Sequence, residues 1–434
     1  MARRRAYPPS VVPGIPRLGK KPRGWREVSF SDVLRVVERP AEVLPDQKYQ
    51  LVNAKRSRGG IVPREVRLGK QIKTKTQFYV KANDFLISRR QIIHGACGIV
   101  PSELDGALVS NEYSTLVPRE GLLLEYLGYY SHSIHFQQTC FHSSVGVDVE
   151  KMVFKLDSWL KHRFYLPPLN IQEEVVRILS TADRAIDRTE KLIAAKRELK
   201  KGLSEQLLSG ERRLPGFGKP VRQEPSCNGV NCGQIPAEWE CVQLGTLGQT
   251  FAGLSGKSRS DFGKGAPYIP YLNVFENACI DEERMDRVMV GPDERQNEVA
   301  YGDIFFTTSS ETRLEVGMAS VLLTELPKTY LNSFCFGFRM KDFNRLIPRF
   351  AGYLLRGRAI RAAIARLAQG ATRYNLPQQA VMRLQVPLPP SAEQERLAAI
   401  LSAADREIIL LQRGLVVLRE LKKGLMQKLL DGGA

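Results

Sequence analysis

Gly253-Leu254-Ser255-Gly256-Lys257-Ser258 is the stretch that comes nearest to catalytic chemistry, because glycines ahead of a lysine and a hydroxyl can cradle phosphates. A phosphate loop needs another glycine five positions before Gly256, and Phe251 stands there, so the pattern fails. The stretch reads instead as a glycine-rich loop that offers Lys257 and Arg259 to a nucleic acid. His132, His135, Cys140 and His142 are metal-ligand types at a spacing that matches no common zinc pattern. Cys227 and Cys232 fall in a linker, and seven cysteines in a chain of this size predict reduced thiols rather than a disulfide framework. Neither an Asn/Asp-Pro-Pro-aromatic motif of amino-methyl transfer nor an acidic nuclease constellation with a nearby lysine occurs. The chain therefore reads as non-catalytic, with no metal and no cofactor of its own.

What remains is recognition chemistry. Guanidinium forks and amides pair with base edges in a groove, and Lys or Arg neutralise phosphates. Arg89, Arg90, Gln91 and His94 follow an expected strand end and precede Gly95, where backbone could approach DNA. In the second half the matching tract runs from Thr307 through Ser309 and Ser310 to Arg313, and Arg373, Tyr374 and Asn375 add a fork, a ring and an amide.

The charge points the same way. The 434 residues carry 64 Lys+Arg against 46 Asp+Glu, a net +18 that calls for a polyanionic partner. Residues 1–165 hold 27 basic and 15 acidic side chains, so most of the excess lies there. Within 48–90 stand twelve basic residues, among them Lys55, Arg56, Arg58, Lys70, Lys73 and Lys75, with only Glu65 and Asp84 as acids. A second acid-free stretch comprises Arg345, Arg349, Arg356, Arg358, Arg361, Arg366 and Arg373. Such stretches predict phosphate-facing surfaces, since ordinary surfaces intersperse the two signs. No apolar run approaches the roughly 20 residues of a membrane span. Arg3, Arg4 and Arg5 near the start lead into no apolar segment, so the expected location is cytoplasmic, away from membranes.

The elements that must position these residues are organised by an internal repeat. Leu166-Pro167-Pro168 recurs as Leu388-Pro389-Pro390, 222 residues later, and residues 166–210 and 388–432 share 22 identities over 45 positions. The run from Arg197 to Leu203 returns unchanged from Arg419 to Leu425. Each copy predicts a long helix begun by the proline pair. In the second copy Leu397, Leu401, Ala404, Ile408, Leu411, Leu415, Leu418, Leu425 and Leu429 keep a 4-3 spacing broken only at Lys422. The same frame in the first copy selects Val175, Leu179, Ile186, Ile193, Leu203 and Leu207, with Thr189, Lys196 and Lys200 as polar interruptions. A seam this narrow wants one partner helix, and the other copy is the obvious one. Ahead of each helix, Pro22-Arg23-Gly24-Trp25 resembles Pro236-Ala237-Glu238-Trp239, and the turn-plus-strand 83–88 resembles 302–307. The expected layout is an α+β domain over 1–165, a helix over 166–210, a linker over 211–234, a second α+β domain over 235–387 and a helix over 388–434. Residues 77–80 and 320–323 are expected as strands, and 347–368 as helical.

Taken together, the duplicated Leu-Pro-Pro, Gln-Glu, Ile-Leu, Asp-Arg and Lys-Lys-Gly-Leu helix resembles the specificity subunit of type I restriction-modification systems, over nearly the whole chain. Residues 370–376 also look like a family segment near the end of a recognition domain, whereas residues 145–148 depart from it. The resemblance implies two target-recognition domains separated by an antiparallel coiled coil, each domain reading one half of a split double-stranded DNA target. It also implies two methyltransferase subunits and two restriction subunits as partners, with S-adenosylmethionine, ATP and Mg used in those subunits. Helices of about 36 residues would span about 54 Å, setting half-sites roughly one to one and a half DNA turns apart. Three other readings stay open: a specificity subunit of a methylation-only or related system, a nucleic-acid scaffold without sequence preference, and a nucleotide-using enzyme built on the 253–258 loop.

Overall fold

The computed structural model describes residues 14–432 except 75, 219–221, 224–226, 228–229 and 231–233. The chain divides into two compact units, Met1–Glu190 with Gly414–Ala434, and Lys191–Arg413. Lys75, Cys232 and the Arg3–Arg5 cluster of the sequence reading lie outside the described residues.

In the first unit a four-stranded sheet has the order Leu34–Val36, Tyr113–Pro118, Phe85–Ser88, Cys97–Ile99. The second unit repeats that order with Gly248–Ala252, Cys335–Met340, Ile304–Thr307 and Ala319–Val321. The third strand of each sheet is wholly buried, and each is entered through the same turn. Asn83 and Gly302 take positive φ values of 66° and 85° there. The buried carboxylates of Asp84 and Asp303 close the turns by accepting from Lys81 N–H at 2.7 Å and Ala300 N–H at 2.8 Å. Each carboxylate also takes an arginine from elsewhere in its unit, Arg39 for Asp84 and Arg339 for Asp303. The faint sequence likeness of 83–88 to 302–307 is thus a shared turn, strand and buried ion pair.

The aromatic centre of the first unit stacks Phe30 on Trp159 at 4.0 Å and on Phe164 at 4.7 Å. Trp159 keeps its indole N–H satisfied by donating to Thr139 Oγ1 at 3.1 Å. In the second unit the core gathers Phe306, Phe336, Phe338, Phe350 and Ile364 over the sheet. Of the expected strands, 77–80 overlaps Gln77–Tyr79 and 320–323 overlaps Ala319–Val321 only at Ser320 and Val321. The expected helical stretch 347–368 is two helices, Pro348–Leu354 and Arg358–Leu367, because Gly357 takes an extended conformation as the cap of the second.

The long helices are Leu169–Leu208 and Ser391–Leu430, 40 residues each. A two-stranded ladder feeds each one: Arg26–Ser29 with Arg163–Leu166, and Glu240–Gln243 with Gln385–Leu388. Within each unit the two helices run antiparallel. In the first, Asp183 pairs with Lys422 and Glu190 with Arg419. In the second, Lys196 pairs with Glu407 and Lys200 with Asp405. The seam residues Val175, Leu179, Ile193, Leu207, Leu397, Leu401 and Ile408 are buried. Ile186, Leu203, Leu411, Leu415, Leu418, Leu425 and Leu429 are half-buried on the same face. The polar interruptions Lys196, Lys200 and Lys422 each make a cross-helix ion pair.

The helices end alike. Gly210 and Gly432 adopt φ values of 69° and 73°, closing each helix in the left-handed turn that a Cβ would disfavour. A Cβ on Gly210 would lie 2.4 Å from Pro236, and one on Gly432 would lie 2.2 Å from Pro22. Each glycine therefore lets a helix end meet the Pro-x-x-Trp segment of the opposite repeat copy.

The expected set of reduced thiols is corrected at one pair. Cys227 and Cys241 are disulfide-bonded with a Cα separation of 5.2 Å, while Cys97, Cys140, Cys279 and Cys335 are free thiols. An odd cysteine count carries no information about which two side chains the fold brings within bridging range.

Candidate nucleic-acid interface

In the first unit the loop after the strand Lys48–Ala54 carries Ser57 and Arg58 at positive φ, 55° and 60°, a conformation that side chains rarely adopt. The strain is held by two backbone bonds, from Ser57 N–H to His94 C=O at 2.6 Å and from Arg58 N–H to Gly95 C=O at 3.2 Å. These bonds bring two separate basic tracts of the sequence together. Arg56 donates from Nε to Gln91 Oε1 at 2.7 Å and from Nη2 to Glu150 at 2.8 Å. The other Glu150 oxygen stands 3.3 Å from His94 Nε2. Arg56 and Glu150 are both about half exposed, while His94 is 2 % exposed and supports them from behind. Burial lowers the pKa of His94, with Glu150 opposing, so its proton is held less tightly than in an ordinary imidazole.

Arg90 is exposed and forms a two-pronged pair with Glu112, which raises its pKa. Arg89 turns its guanidinium to Asn111 C=O at 3.5 Å. The buried Nε atoms of Arg58 and Arg89 have no hydrogen-bond partner among the described residues. Lys55 and Lys73 are exposed, and Lys70 is exposed beside Asp46. Glu150 carries no basic signal and lies 94 residues from Arg56, so nothing in the local sequence pattern marked it as part of this cluster.

In the second unit the two candidate tracts become neighbouring strands. Ser309 pairs with Asn375 and Ser310 with Tyr374 in antiparallel register. Arg373 donates to Ser309 Oγ from Nη2 at 2.9 Å and from Nε at 3.2 Å, and its guanidinium lies 5.7 Å over the Phe334 ring. The Arg313 guanidinium stands 5.5 Å over the ring of Tyr374. Arg313, Arg373 and Asn375 are exposed. Thr307 is buried, with its hydroxyl accepting from Met318 N–H at 3.0 Å, and serves the sheet rather than the surface. Lys257 turns inward to Glu294 with 4 % of its side chain exposed, and Arg259 is exposed on the same loop. Phe334 is the residue that composition could not have selected here, because an exposed aromatic ring looks in sequence like any other core candidate.

The acid-free arginine stretch of the second unit is not one phosphate-facing run. Arg356 donates to the carbonyls of Ala319, Val274 and Phe275 at 2.6–2.8 Å. Arg361 reaches the carbonyls of Gly317, Leu314 and Val316. Burial lowers the pKa of both guanidinium groups, to about 10. Backbone carbonyls satisfy these cations, which explains an arginine run that needs no acid partner. Among the described residues no group of three or more His, Cys, Asp and Glu is placed to hold a metal ion, and no helix is long and apolar enough to cross a membrane.

Two α+β units that share one four-stranded sheet order, each tied to an antiparallel pair of long helices, define a protein built as a tandem repeat. The domain model described as Type I restriction modification DNA specificity domain matches residues 22–196 and again 236–418, and the chain belongs to that family. Members of this family are specificity subunits, which are non-catalytic. Among its relatives is the MjaVIII type I restriction enzyme specificity subunit of Methanocaldococcus jannaschii, 23 % identical over 442 residues, covering 95 % of this chain and 93 % of that one. The fold is similar to the HsdS subunit from Thermoanaerobacter tengcongensis, with a TM-score of 0.50, 18 % identity, and 96 % and 99 % of the two chains covered. It is also similar to the type I S subunit from M. genitalium, with a TM-score of 0.54 at 15 % identity over 96 % of this chain and 99 % of the other.

Proposed function

We propose that each unit reads one half of a split, double-stranded DNA target, and that the long helices dock methyltransferase subunits. The observation that carries this reading is the duplication itself: one sheet order occurs twice, with unlike side chains on the loops of each copy. Two similar scaffolds with different reading residues suit two different half-sites. In the first unit Arg56, Gln91 and Glu150, with Arg89 and Arg90 beside them, supply a fork, an amide and a carboxylate for base edges. In the second, Ser309, Ser310, Arg313, Arg373, Tyr374 and Asn375 do so, and exposed cations such as Lys55, Lys73 and Arg259 neutralise phosphates.

The helices keep apolar side chains outside the seam. Leu192, Leu199, Ile409 and Leu410 are exposed in the second unit, and Val416, Val417 and Leu421 in the first. Exposed apolar residues spaced along a helix suit a protein partner. The methyltransferase subunits would bring S-adenosylmethionine and methylate adenine N6 on a base flipped from the stack. Restriction subunits with ATP and Mg would complete the complex in the cytoplasm, and this chain would supply reading and assembly.

The test is co-expression with the methyltransferase subunits, followed by genome-wide mapping of modified adenines. Two short motifs separated by a fixed gap are expected. A single uninterrupted motif, or modification without sequence preference, overturns the reading.

A further inference from the structure

Phe334 stands just ahead of the strand Cys335–Met340, and its backbone is pinned by three bonds. Its N–H donates to Asn332 Oδ1 at 2.8 Å. Its carbonyl accepts from Thr308 N–H and from the Thr308 hydroxyl, both at 2.9 Å. The ring is nevertheless 52 % exposed, whereas Cys335 and Phe336 beside it are buried. Apolar area of this size is ordinarily removed from water. Here the fold fixes the ring's base and leaves its body wet.

Its surroundings say what it faces. Arg373 covers the ring at 5.7 Å and is itself held by Ser309 Oγ. Arg313 lies over Tyr374 on the adjoining strand pair, and Leu314 beside it is 77 % exposed. Glu315 is occupied by the hydroxyls of Thr312 at 2.6 Å and Ser310 at 3.4 Å. An exposed ring with its base fixed and the Arg373 guanidinium against it combines a stacking surface for a base with a cation for a neighbouring phosphate.

We propose that Phe334 inserts into the base stack of the half-site met by the second unit, with Arg373 bracing it and contacting the backbone phosphate. This rests on the DNA-reading function proposed above. Flipping a base for methylation leaves an interrupted stack, and an aromatic side chain that enters the interruption offsets the lost base–base contact.

The test uses the full chain assembled with its methyltransferase subunits and duplexes carrying the mapped target, with 2-aminopurine or an abasic site scanned through the second half-site. Wild type should raise 2-aminopurine fluorescence at one base step and bind more tightly when that step holds an abasic site. Phe334→Ala should lose both effects and bind the intact duplex about ten- to a hundredfold more weakly. Phe334→Trp should retain both, which keeps the test decisive if the alanine variant folds poorly. Wild-type-like binding and fluorescence in Phe334→Ala, or loss of both effects in a folded Phe334→Trp, overturns the insertion. If wild type prefers no duplex at all, it is the DNA-reading function that fails.

Discussion

The hydroxyl of Tyr129 donates to the Asp183 carboxylate at 2.8 Å, and the same carboxylate meets Lys422 at 2.5 Å from the antiparallel helix. The second unit repeats the arrangement with Tyr353 on Asp405 at 2.9 Å and Lys200 on the same acid. Each lysine also lies over its tyrosine ring, at 5.8 Å and 5.6 Å. Asp183 and Asp405 are equivalent in the sequence repeat, as are Lys200 and Lys422. Each latch therefore takes its acid from one repeat copy and its lysine from the other, which ties helix pairing to domain docking. Asp183→Asn and Lys422→Met should each lower stability, with a coupling in a double-mutant cycle of about 0.5–3 kcal/mol. Additive losses in denaturant unfolding would show that the pair does not act as a unit.

The amide of Gln172 fastens the first long helix to its domain. It accepts from Leu123 N–H at 2.8 Å and donates to the carbonyls of Gly121 and Pro167 at 2.9 Å. Gln394 does the same in the second unit with Ile347 N–H, Arg345 C=O and Pro389 C=O. Gln172→Glu would keep the acceptor and lose both donations, leaving a buried charge against two carbonyls. Its cost should exceed that of Gln172→Ala, itself about 1–3 kcal/mol for the group left unpaired. Thermal unfolding of the two variants decides the order.

Arg361, held by backbone carbonyls, and the Arg89–Arg90 pair, proposed to read DNA, should respond differently to substitution. Arg361→Met strands three carbonyls and should lower the melting temperature. Arg89→Ala with Arg90→Ala should leave the melting temperature close to wild type and abolish adenine modification in the assembled complex. Unchanged genomic methylation in that double variant removes these residues from the interface.

Acid should loosen the first unit before the carboxylates titrate. Burial pushes His132 and His135 down to about 4, from an unfolded value near 6.5. Tyr130 Oη and His135 Nδ1 are hydrogen-bonded at 2.9 Å, and burial raises the pKa of Tyr130 well above its usual value. Between pH 6.5 and about 4 the unfolded chain binds more protons than the folded one. The stability due to these rings is thus complete above pH 6.5 and is lost as the pH falls toward 4. Melting temperatures across that window should fall less steeply in His135→Gln; an unchanged slope would free His135 of this role.

Exchanging residues 1–165 for those of a relative should alter one half of the modified motif and leave the other intact. A change in both halves, read by adenine mapping, contradicts separate reading by the two units.

Periodicity and repetition determined much of this protein from the sequence alone. The 4-3 spacing gave the seam, the paired prolines set the helix starts to within a few residues, and the repeat related 83–88 to 302–307 before a shared turn was visible. These signals are local, so a single stretch of chain contains them. Tertiary structure alone decided which charged residues face outward. Arg356 and Arg361 belong to an acid-free run yet are held by carbonyls 37 to 82 residues away. Lys257 is neutralised by Glu294, and Cys227, expected as a reduced thiol, is bonded to Cys241. Glu150 came beside Arg56, and Phe334 beside Arg373, only once distant segments met. A side chain's periodic position fixes which face of its own element it occupies, but its partners across the fold fix whether that face meets solvent, backbone or DNA.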